Sequence, residues 1–149
     1  MDPIRPTTPE ARALALSLLL CRHGALAVTD EGAPHVSRVA VGFDGAPLLL
    51  VSGLARHARA LRLDPRCALL LGEAPAKGDP LAGGRLTLRG RVEGADKNAG
   101  RALWLDQHPK ARLYYDLPDF ALLRLVIEGA DLNGGFGRAF RLSPGDLSP

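Results

Sequence analysis

The chain has 149 residues, of which 46% are hydrophobic and 23% charged, with 16 Arg against 3 Lys and a formal net charge of +3. That length suits one domain and buries enough surface to fold without a metal or a disulfide. A charge this mild, with only seven aromatic residues among the arginines, excludes the stacking platforms and dense basic stripe of a dedicated nucleic-acid binder.

The first element is a helix opened by Thr7-Thr8-Pro9-Glu10, with a threonine cap, proline at the first helical position and a glutamate to reach back. It is expected to run to about Arg22, with Gly24 after it. Its apolar run, residues 13–21, is far shorter than the ~20 residues that span a bilayer. It resembles a signal-peptide core, but Glu10 precedes it and Arg22-His23 ends it where a small-residue cleavage site would stand. A cytoplasmic protein with no membrane partner is therefore expected.

Strands are expected over residues 24–29 and 35–43, joined by the turn Asp30-Glu31-Gly32-Ala33-Pro34. In the second strand Ser37, Val39, Val41 and Phe43 share the core face and Arg38 the opposite one. A third strand follows over 46–51, then a helix over 54–63 and a strand over 66–71. Residues 72–84, rich in Gly and Pro, read as a loop. A strand over 85–93 leads to a helix over 95–107 that His108-Pro109 interrupts, with a second short helix over 110–115. The last strand is expected over 121–127, a chain end over 130–138, and a disordered tail over 143–149, within a single domain spanning 1–149. Six strands joined mainly by hairpins, with few and peripheral helices, predict an α+β, mostly β, antiparallel barrel.

The chemistry concentrates at Ser52-Gly53 and the helix behind it. Arg56 and His57 fall in that helix's first turn, where unpaired N–H groups and the positive end of the dipole gather, a seat suited to phosphate. A solvated helix face explains Arg59 and Arg62, opposite Leu54, Ala58 and Leu61. Cys21 and Cys67 sit in apolar runs without a CxxC and read as buried thiols. The histidines show no metal-ligand spacing, so no metal site is expected. Asp116 and Asp119 read as turn residues, and the GGFG run lacks the helix that a phosphate loop requires. Trp104, Leu113, Tyr114 and Phe120 are candidates for core or interface packing.

Taken in order, PHVSRVAVGFDGAPLLLVS, LARHARALRLDPR, RLTLRGRVE and GGFGRA resemble the pyridoxamine-5′-phosphate-oxidase-like family of FMN-binding split β-barrels. The match covers about residues 21–140, and its ending looks most like the sub-group that includes heme-utilisation proteins. The resemblance implies a six-stranded antiparallel split barrel, a homodimer with two FMN sites at the interface, and an FMN-dependent oxidoreductase acting on a small molecule, its chemistry carried by the flavin. Carried over, Ser37, Arg38 and Val39 line the flavin, and Ser52 sits beside the ribityl chain and phosphate. Arg56 and His57 hold the phosphate, and Arg85 reaches the ring where the family often has glutamine. Gly135 and Phe136 close the site from the end of the last strand. No catalytic side chain is assigned. Heme binding or breakdown is the alternative, although family members of that kind use a histidine in a C-terminal segment and no histidine follows His108 here. A non-catalytic flavin-binding module is the third.

Overall fold

The computed structural model describes residues 4–135 and 137–149. Eight strands and three α-helices follow one another as β1 (Arg5–Pro6), α1 (Pro9–Leu18), β2 (His23–Asp30), β3 (Ala33–Phe43), β4 (Pro47–Ser52), α2 (Arg56–Leu63), β5 (Arg66–Leu71), β6 (Arg85–Gly94), α3 (Arg101–Gln107), β7 (Phe120–Asn133) and β8 (Ala139–Leu142). The sheet runs β1-β8-β7-β4-β3-β2-β5-β6, and β6 pairs back onto β7. Strands β2 to β7 thus close an antiparallel barrel, as the alternating sequence predicts, with β8 and β1 as an appendage. No helix among the described residues is long and apolar enough to cross a membrane.

Local chemistry accounts for the elements. Thr8 caps α1 by accepting from the Ala11 N–H at 3.1 Å, with Pro9 next in the chain. The β2–β3 hairpin turns at Glu31 and Gly32, both at positive φ (51° and 81°), the conformation of a two-residue turn that matches strand twist. Leu26, Val28, Val39, Val41, Leu49, Val51, Leu69, Leu71, Leu86, Leu88, Leu125 and Leu132 fill the interior. A satellite core of Leu48, Trp104, Ala111, Tyr115 and Leu122 lies under α3.

Several boundaries differ from expectation. Helix α1 stops at Leu18, and Gly24 belongs to β2, where a Cβ would stand 2.6 Å from the Leu70 carbonyl oxygen. The expected helix over 95–107 forms only from Arg101, because Asp96 Oδ1 accepts from the N–H groups of Asn98 and Ala99 and holds that stretch in a turn. The second short helix is a 3₁₀ turn, Pro109–Leu113. Strand β7 continues to Asn133, beyond the expected end at 127, because β6 and β8 both pair with its second half. Leu54 is 81% exposed and does not join the core face. The expected disordered tail contains a 3₁₀ turn, Pro144–Leu147, held by a reciprocal Ser143–Asp146 cap. Arg12 donates to the carbonyls of Asp146 (2.9 Å) and Ser148 (2.6 Å), and Leu147 is buried.

Candidate functional site

The barrel splits between β3 and β4. These strands pair only at Val41–Leu49, Gly42–Leu48 and Phe43–Pro47, whereas residues 33–40 of β3 pair with β2 alone. The Val41 N–H points to the β2 side, donating to Arg22 O at 2.8 Å. By the alternation of an antiparallel ladder, the backbone groups of Val36, Arg38 and Ala40 then face the open edge. Half-buried Ala40 and Leu50 flank the place where the ladder stops.

Helix α2 begins beside this gap. No side chain caps it, and among the described residues the N–H groups of Arg56, His57 and Ala58 have no hydrogen-bond partner. Ala58, Ala60 and Leu61 seat the helix on the barrel, leaving Arg56 and Arg59 exposed. His57 turns inward and its Nδ1 lies 3.2 Å from Ser37 Oγ. Burial, followed by the neighbouring His35, lowers the His57 pKa below the ordinary imidazole value, so the ring is neutral near pH 7.

Six of the sequence-predicted site residues therefore gather around the split: Ser37, Arg38, Val39, Ser52, Arg56 and His57. Ser37 and His57 touch. Arg38 lies on the outer face of β3, while the Val39 side chain is buried in the core, so only its backbone can meet a ligand at the edge. Arg56 Nε donates to Asp30 Oδ2. Ser52 Oγ donates to Asp119 Oδ2 at 3.1 Å and accepts from the Leu54 N–H at 3.2 Å, and the Gly53 N–H donates to the Asp119 carbonyl at 2.6 Å.

Arg85 and Gly135 lie elsewhere. Strand β6 is three strands from β3 in either direction around the barrel, which puts Arg85 on the opposite wall. Its Nη1 donates to the carbonyls of Leu81 (2.9 Å) and Gly83 (3.3 Å), tying down the loop before β6. Gly135, at φ 120°, follows Asn133, the residue paired with Arg85. Phe136 falls outside the described residues.

Sequence reasoning missed the two carboxylates at the site. Asp30 read as a turn residue and Asp119 as part of a helix-to-strand corner. Only folding brings Asp30 to Arg56, 26 positions on, and Asp119 to Ser52, 67 positions back. His108 is held by the satellite core: Nε2 lies 2.8 Å from the Val41 carbonyl oxygen and the ring stacks on Trp104 at 4.6 Å.

A closed six-stranded barrel, open along one strand edge and bordered by an uncapped basic helix start, defines a split-barrel protein. The chain belongs to the pyridoxamine 5′-phosphate oxidase family, whose model matches residues 8–133. It is 37% identical over 123 residues to the chloroplastic non-canonical heme oxygenase HOZ of Arabidopsis thaliana. That match covers 79% of this chain but 37% of the relative, so the chain spans well under half the length of the curated protein it resembles. A heme binding protein from Mycobacterium smegmatis is 35% identical with a TM-score of 0.86, over 95% of this chain and 61% of that one. The heme storage protein HutZ of Vibrio cholerae shares the fold, with a TM-score of 0.64 at 23% identity over 89% of this chain and 99% of that one.

Proposed function

We propose that this chain binds heme at the split. The observation that carries the reading is the charge at the expected phosphate seat. Arg56 is already paired with Asp30, and the Ser52 hydroxyl already donates a hydrogen bond to Asp119. A dianionic phosphate would meet two carboxylates at the residues meant to hold it, and like charges at such range repel. These carboxylates disfavour the FMN phosphate at that seat. A heme asks for something else: basic residues at its border for the propionates and an imidazole, which exposed Arg38 and half-buried His57 supply. The names of the Arabidopsis and mycobacterial relatives support the same choice.

FMN-dependent oxidoreductase chemistry is the second reading, favoured by the three unpaired N–H groups at the start of α2. One pair of titrations decides between them. Ferric heme added to the purified protein should give a shifted Soret band saturating at one heme per chain, while FMN fluorescence stays unquenched. Quenching of FMN at one equivalent, with no Soret shift, would overturn the heme reading.

The site also calls for a second copy of the chain. Arg38 and Arg85 stand on opposite walls of one barrel, and no single ligand at the split reaches both. Between them β2 and β5 present a face of small residues, Ala25, Ala27 and Ala68, with Val36 62% and Leu70 40% exposed. A two-fold axis through this face would set β3 of one copy against β6 of the other, the isologous arrangement most homodimers use.

A further inference from the structure

We propose that the cavity at the α2 end of the barrel binds a medium-chain carboxylate, with its hydrocarbon chain inside and its head on Arg62. The cavity measures about 250 Å³, just below the usual range of about 300–1,000 Å³ for ligand pockets, so it suits a small occupant. Its floor is apolar and buried: Val51 of β4, Ala58 and Leu61 of α2, and Val92 of β6. Ala121 and Leu123 make the β7 wall. They pair with the core residues Val51 and Leu49, so their side chains face inward with those partners. Yet Leu123 is only half-buried and Ala121 is exposed. A Cβ added at Gly94, beside Leu123 on β6, would meet nothing within 4 Å. None of the residues gathered at the split lines this cavity, and the proposal is independent of the heme reading.

The rim sets the chemistry of the head. Three charged residues border the cavity, Arg62, Glu93 and Asp119, and two of them are engaged elsewhere. Asp119 accepts from the Ser52 hydroxyl at 3.1 Å. Glu93 follows inward-facing Val92 and stands opposite Arg124 in the β6–β7 ladder, so alternation turns its carboxylate to the outer face. Arg62 instead lies over Gly53. Its Nη2 donates to the Gly53 carbonyl at a long 3.4 Å, and a Cβ on Gly53 would stand 3.7 Å from Nη1. Among the described residues no carboxylate pairs with Arg62. A guanidinium fork takes a carboxylate through two parallel N–H bonds. One such fork above an apolar floor is the complement of a single anionic head on a hydrocarbon body.

The test is calorimetric titration of the purified protein with butanoate, hexanoate, octanoate and octanol at pH 7. Affinity should rise about fourfold per methylene along the acids, the gain from burying each one. Octanol, which cannot take the fork, should bind about tenfold more weakly than octanoate. Arg62→Gln should cost octanoate about tenfold and leave octanol unchanged. Arg59→Gln, on the exposed side of α2 and outside the cavity lining, should match wild type. Ala121→Phe should fill the space and abolish binding of both ligands. Absence of octanoate binding to wild type, binding that ignores chain length, or full binding by Ala121→Phe would each overturn the cavity as the site. Loss of octanoate in Arg59→Gln, or equal weakening of octanol and octanoate in Arg62→Gln, would overturn the role of Arg62. Should Ala121→Phe not fold by circular dichroism, Gly94→Val enters the same space from β6 and decides the comparison.

Discussion

His57 shows how burial changes a residue's chemistry. Read along the chain, His57 is a second cation beside Arg56. Folded, it is turned inward to a neutral partner, and its pKa falls, first through burial and then through His35. A base whose folded pKa lies below its unfolded value binds its proton more tightly in the unfolded state. Stability is then complete above the unfolded value of about 6.5 and is lost as pH falls through the depressed folded value. Ligand-free protein should therefore melt at progressively lower temperature between pH 7 and pH 5, and His57→Gln should flatten that decline in a thermal scan. Cys67 is pushed the other way: burial, then Glu128, raises its thiol to about 11. At pH 8 it should react with a thiol-specific disulfide reagent on the order of 100-fold more slowly than free cysteine, measured in a Cys21→Ser background.

At the scale of elements, the sequence is most legible where one period governs a whole segment. Strand β5 falls on the expected residues 66–71, and β2, β3 and β4 shift by no more than two at either end, because alternation and Gly- or Pro-marked turns define them locally. Strands β1 and β8 escaped notice. Two and four residues long, they carry no period of their own and exist because β7 offers β8 an edge and β8 in turn offers one to β1. The candidate site divides the same way. Arg56 and His57 announce themselves by position in a helix, while Asp30 and Asp119 become site residues only when distant segments meet. Helix α3 carries a similar hidden cost: Trp104 is 1% exposed, and its Nε1 has no hydrogen-bond partner among the described residues. Trp104→Phe removes that unpaired donor and should lose under ~1.5 kcal/mol, whereas Trp104→Ala should lose about 3–5 kcal/mol, both by chemical denaturation.

For the whole molecule, a dimer in which each site draws on β3 of one copy and β6 of the other makes a prediction that a monomeric site cannot. Arg38→Ala and Arg85→Ala should each weaken heme binding when pure. Mixed after reversible unfolding, they should recover about a quarter of the sites at wild-type affinity, because half of random dimers are mixed and each carries one intact site. Strictly additive loss, with no recovery, would mean that Arg38 and Arg85 never share a ligand.

Strand β7 is the element that seals the wall, pairing with β4 through residues 120–124 and with β6 through residues 123–133. A ribosome making this chain completes every other barrel strand first. Until β7 emerges, the nascent sheet is an open ribbon with two raw edges, β4 and β6, both ready to pair with any strand they meet. The barrel is therefore a post-synthetic structure. A message truncated before codon 120 should yield an aggregating or chaperone-held product, and substitutions that weaken β7 should show first as poor soluble yield during expression, before any loss of ligand affinity is seen.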